Sequence, residues 1–165
     1  MTGRVIYTAL VGALALMSAT HAQGATDPYA SLRLYEGTWQ VTQTTPAGKQ
    51  PDRLVNDCAQ VGRYFACQQT VNGKPGPLVV FIPDIAPGHY HTQIVLPDAA
   101  ALGSPGTLTI AGDHWTYLGE PDAKDVRYRT VNVFSGRDRI HFEVARSTDG
   151  KTWTVTMAGD ETREK

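Results

Sequence analysis

Positive charge is nowhere concentrated in this sequence: 15 Lys and Arg are dispersed among 16 Asp and Glu, with no basic block. A phosphate backbone is recognised by a concentrated positive face, so nucleic acid is not an expected partner. Long apolar runs are as scarce. The one present, Val5 to Met17, falls short of the ~20 residues that a permanent membrane span needs, so no permanent anchor is expected. After residue 22 no helix-length stretch repeats its apolar residues every 3.6 positions, and no amphipathic surface helix stands out. Nucleophile elbow, phosphate loop and dinucleotide fingerprint are all missing. Cysteine is limited to Cys58 and Cys67, without neighbouring ligands at zinc-binding spacing.

The apolar run has its own meaning. Arg4 precedes it, Ser18 to Ala22 follow it, and Thr20-His21-Ala22 supplies the small side chains that a signal peptidase reads. Residues 1–22 are therefore expected to be a signal peptide, cleaved after Ala22 or, as a second choice, Ala25. The product is expected in the periplasm or secreted. Residues 23–165 are the size of one domain. Arg4 is the one charged residue before Asp27, so its loss leaves 14 basic against 16 acidic residues, a net charge near −2. Export also bears on the cysteines. In an oxidising compartment, Cys58 and Cys67 are expected to bridge. A hairpin pivoting at Gly62-Arg63 places them opposite each other.

What fills the mature chain is short runs punctuated by turn residues. Strands are expected at Gly37–Thr44, Arg53–Gln60, Arg63–Val71, Pro77–Pro83, His89–Leu96, Gly106–Ala111, His114–Leu118, Val126–Phe134, Arg139–Ser147 and Lys151–Ala158. Before them, Pro28–Tyr35 is expected as a short helix with Asp27 as its N-cap. The predicted fold is all-β, an antiparallel up-and-down barrel of about 8–10 strands, closed so that no edge is exposed. Alternation assigns packed faces to Leu78, Val80 and Ile82, to Ile140, Phe142 and Val144, and to Trp153, Val155 and Met157. His141 and Glu143 then face outward.

Leu34-Tyr35-Glu36-Gly37-Thr38-Trp39 sets a short helix, a Gly-x-Trp and the first strand in succession. This resembles the opening of the lipocalin and fatty-acid-binding (calycin) superfamily, in which the helix closes one end of a barrel over the Trp. With Gly62-Arg63-Tyr64-Phe65 and Ser147-Thr148-Asp149-Gly150-Lys151-Thr152-Trp153, the pattern is similar to a family of small exported bacterial calycin-like barrels of unknown function. The Thr-Asp-Tyr-type turn of lipocalins has no counterpart here. The resemblance implies a late Arg stacked on the early Trp by a cation–π contact, and Arg163 over Trp39 is the candidate pair.

Each chemical candidate has an ordinary alternative. His89 and His91, at i and i+2 on one strand, put two imidazoles about 7 Å apart on one face. With His114 or His141 they would begin a metal site, or they form a polar outer stripe with Tyr90, Ile94 and Leu96 turned inward. His141 beside Glu143 suits a general base, or is a surface charge pattern. The strand around Val126–Phe134 has no cleanly apolar face. Tyr117, Tyr128, Arg129 and Asn132 are candidates for orienting a ligand in a cavity, where an inward Arg would pair a carboxylate-bearing molecule. Otherwise Arg127 and Arg129 lie outside. The leading functional expectation is a barrel that binds a small, partly apolar ligand. The alternatives are a filled envelope protein and, last, an enzyme using His141, Glu143, Tyr128 and Arg129. No cofactor is expected; a haem-binding version would need an inward axial His, with His141 the one suspect. No feature specifies an oligomeric state.

Overall fold

Turn chemistry sets most of the element boundaries. The computed structural model describes residues 27–97, 102–103 and 105–165; the signal peptide reading falls outside them. Among the described residues there are ten antiparallel strands: β1 Gly37–Thr45, β2 Asp52–Val61, β3 Tyr64–Val71, β4 Lys74–Pro83, β5 His89–Val95, β6 Gly106–Ala111, β7 His114–Gly119, β8 Arg127–Ser135, β9 Arg139–Ser147 and β10 Thr154–Arg163. Each pairs with its sequence neighbours, and β10 pairs with β1 to close a barrel. At Asn72-Gly73 both residues take positive φ, the geometry of a two-residue hairpin turn whose twist matches the flanking strands. That tight turn lets β4 start at Lys74 rather than at the expected Pro77. A bulge between Gln68 and Thr70 takes up the irregularity opposite Pro75.

The expected helix at Pro28–Tyr35 is corrected to a turn followed by a 3₁₀ turn, Leu32–Tyr35. One i to i−4 bond forms, Arg33 N to Tyr29 O, and the bonds that follow, Leu34 N to Ser31 O and Glu36 N to Arg33 O, have the tighter i to i−3 spacing. Asp27 still caps the segment, accepting from Tyr29 N at 2.9 Å. Side chains anchor what the short backbone cannot. Tyr29 stacks on Phe65 with centroids 5.4 Å apart and its hydroxyl donates to Arg63 O, while the Tyr90 hydroxyl donates to Pro28 O. This segment seals one end of the barrel. Beneath it Trp39, Phe65, Leu108, Trp115, Phe134 and Ile140 are almost fully buried and fill that half.

Two face assignments are corrected. Leu78, Val80 and Ile82 lie outside, and Val79 and Phe81 point in, opposite Ile94 and Thr92. The run Leu78 to Ile82 is apolar on both faces, so alternation alone had no polar residue from which to choose. In β10 a bulge between Val155 and Met157 resets the alternation, leaving Val155 exposed while Met157 lines the interior. Ile140, Phe142 and Val144 do face inward.

The last strand starts and ends later than expected. Asp149 Oδ1 accepts from Lys151 N at 2.8 Å and Thr152 N at 2.7 Å, which holds residues 148–153 as a loop. The polar stretch that follows is the closing strand.

Cys58 and Cys67 face each other across the Gly62-Arg63 turn and form a disulfide, Cα atoms 4.0 Å apart. Closing so short a loop contributes about 2–3 kcal/mol in the chain-entropy model. Reduction is expected to lower the melting temperature by roughly 6–10 °C in a domain of this size. Calorimetry with and without reductant checks this, and coincident transitions would contradict it.

Candidate ligand cavity

The barrel is filled at the end that the 3₁₀ turn covers and open towards the other. The unfilled half holds a cavity of about 420 Å³. Its walls are chiefly Val41, Leu54, Val71, Val79, Phe81, Ile94, Phe142, Val144 and Met157, all projecting from strands whose alternation turns them inward. An adjoining space of about 440 Å³ shares Val79, Ile94, Tyr117 and Thr130 with it.

Polar groups gather where the cavity meets the filled half. Trp39 Nε1 and Asn56 Nδ2 both donate to Tyr35 O, at 3.0 and 3.2 Å, and Gln69 Nε2 donates to Asn56 Oδ1 at 3.1 Å. These bonds fix the Tyr35 ring against Trp39 and Trp115. The Tyr35 hydroxyl donates to Glu161 Oε1 at 3.4 Å. Glu161 is 6% exposed and its Oε2 has no hydrogen-bond partner. Burial pushes its carboxyl up to about 7, against a smaller opposing effect of the Tyr35 hydroxyl. Burial and the Glu161 charge both push the Tyr117 and Tyr35 phenols upward. No Lys, Arg or His lines the cavity or the adjoining space among the described residues, whereas Asp52, Glu120 and Asp122 do.

Arg163 lies past Glu161 on the same strand, turned to the sealed end. Its guanidinium sits 4.1 Å from the Trp39 ring centre and donates to Leu34 O, Glu36 O and Arg137 O. Gly37 accommodates this. It has φ +119°, and a Cβ there would come within 2.5 Å of Arg163 Nη1.

The other expected site residues are dispersed. Tyr117 and Asn132 line the cavity. Tyr128 lies at the mouth, 49% exposed, beside the adjoining space. Arg129, as a cavity residue, is corrected. It lies on the outer face with its guanidinium 4.5 Å from the Trp153 ring centre, because Thr130 and Asn132 take the inward positions of β8. The cavity lining therefore carries a carboxylate, Glu161, rather than the expected arginine. His141 faces outward, bonded to Asp160 at 3.0 Å with Glu143 at 4.0 Å. It offers no axial ligand to the cavity. His89 and His91 are exposed beside Thr109 and Asp84, and His114 sits next to Asp113 at 2.8 Å. No three His, Cys, Asp or Glu side chains converge as a metal set among the described residues.

Comparison with known proteins adds the fold. No family model matches the chain, and no curated protein matches it. Among solved structures, Rv2717c from M. tuberculosis superposes with a TM-score of 0.50 at 18% identity, covering 84% of this chain and 98% of that one. The two share a barrel fold. The S-type phycobiliprotein lyase CPES from Guillardia theta has a TM-score of 0.48 at 11% identity, covering 82% of this chain and 91% of that one, too distant to bear on function. A ten-strand antiparallel barrel is consistent with the calycin-like architecture.

The sequence does carry a signal for Glu161. Once Arg163 is set over Trp39, the period of two along β10 turns Glu161 and Gly159 inward. The polar composition of that stretch hid it.

Proposed function

We propose that this chain is an exported binding protein that holds a small, partly apolar molecule inside its barrel. The observation that supports the reading is the cavity of about 420 Å³, with apolar walls and a few polar groups at one end, the usual form of a small-molecule site. A structural barrel needs no such space; its side chains would meet at the centre along its whole length. Export is supported by the N-terminal sequence and is compatible with the Cys58–Cys67 bridge.

The test is uptake of a neutral apolar fluorophore, N-phenyl-1-naphthylamine, with native mass spectrometry of protein purified from its own host. Val79 belongs to both the cavity and the adjoining space, so Val79→Trp should fill their shared wall and cut fluorophore affinity at least tenfold. Melting confirms that the variant is folded. No uptake by the wild type, together with a clean apo mass, would overturn the reading.

A further inference from the structure

We infer that the ligand is a cation, a small apolar body carrying a protonated amine, and that Glu161 is the counter-ion that selects it. This rests on the cavity being a binding site and names what that site takes.

The first support is an unmet valence. Glu161 is 6% exposed and accepts from the Tyr35 hydroxyl on one oxygen, while the other has no partner. A buried carboxylate without a cation is costly, and no Lys, Arg or His pairs with Glu161 among the described residues. Arg163, two residues on, is committed at the sealed end to three backbone carbonyls and the Trp39 ring. The lining of the cavity and of its adjoining space contains no Lys, Arg or His among the described residues.

The second support is what surrounds that residue. The other acids of the lining are already matched: Lys49 pairs with Asp52 at 3.5 Å, Arg127 pairs with Glu120 at 3.7 Å, and Asp122 accepts from Lys124 N and Val126 N. That leaves Glu161 as the lining acid with an unpartnered oxygen among the described residues. The titratable groups that bear on Glu161 from other elements are Tyr35 and Tyr117. Their phenols stay neutral, so neither competes as an acid, and their ring faces suit an ammonium group. The neighbouring strands present Val41 and Ile140 across from Glu161, both uncharged.

Because burial raises the Glu161 carboxyl to about 7, the site is mostly neutral at pH 5 and mostly ionised at pH 8. An amine that stays protonated throughout should therefore bind up to about 100-fold more weakly at pH 5 than at pH 8.

Calorimetric titration of the mature, oxidised protein compares three probes of one shape: 2-phenylethylamine, 2-phenylethanol and 3-phenylpropionate. At pH 8 the amine is expected to bind at least tenfold more tightly than the alcohol, and the carboxylate least. Glu161→Gln should erase the preference for the amine over the alcohol. In the wild type, lowering the pH to 5 should weaken the amine alone, a second reading that needs no variant. If alcohol and amine bind equally, or pH moves both alike, the cation assignment is overturned and the binding cavity stands. If no probe binds and the fluorophore is also refused, both fail.

Discussion

Arg163→Ala is expected to lower the melting temperature by 10 °C or more. The side chain joins parts of the chain that are far apart in sequence. It donates to Leu34 O and Glu36 O in the sealing segment and to Arg137 O in the β8–β9 turn, with its guanidinium over Trp39. Hydrogen bonds from a charged donor contribute about 1.5–3 kcal/mol each, a partly desolvated cation–π contact about 1–2 kcal/mol, and the contributions overlap. A net loss of about 3–5 kcal/mol is expected, since truncation also leaves the carbonyls without their donor. Arg163→Lys should recover little of it, because an ammonium on a flexible stem cannot serve a fork of acceptors. Thermal melts of the two variants decide the matter. A change of a degree or two in Arg163→Ala would show that the sealing segment holds without it.

Glu161→Gln is expected to act in the opposite direction, and only above a certain pH. The carboxyl titrates near its ordinary value of 4.5 in the unfolded chain and at about 7 when buried. Between those values the folded protein holds a proton that the unfolded chain has lost, so stability falls as pH rises through this window. Below pH 4.5 the acid is neutral in both states and the amide should behave alike. At pH 8 the buried charge costs about 3 kcal/mol, which Gln removes, so the variant should melt roughly 6–12 °C higher. Melting curves of both proteins from pH 4 to pH 8.5 are the measurement. Parallel curves would mean that Glu161 is ionised without penalty. A residue that weakens the fold and is aimed at a cavity fits a binding role better than a structural one.

The strands could be read because Gly, Pro, Asn and Asp mark turns for stereochemical reasons that tertiary context does not override. Asn72-Gly73 and Gly62-Arg63 set the β2–β3–β4 register almost alone, and with it the pairing of Cys58 with Cys67. The 3₁₀ turn was harder, because Asp27 and Pro28 begin either kind of helix, and it is the anchoring of Tyr29 by Phe65 and Arg63 that selects the short form. The interior was the least readable part. A binding barrel needs polar groups among its inward residues, and these break the alternation by which an inward face is recognised. In β8 that left Arg129 and Asn132 as equal candidates, whereas only Asn132 lines the cavity. In β10 a glycine and a glutamate took inward positions and made the closing strand resemble a solvated tail.

The circular strand order carries a kinetic consequence. Nine of the ten strand pairings join neighbours in sequence, and each can zip locally as a hairpin or a simple extension. The tenth, β1 with β10, joins residues from opposite ends of the domain, Trp39 to Arg163 and Val41 to Glu161. Loop-closure entropy and high contact order make such a seam the slow step of folding. Glu161 and Met157 ride on the strand that completes it. The cavity is thus completed by that closure, and a chain with every hairpin formed but the seam open would have a cavity without its floor.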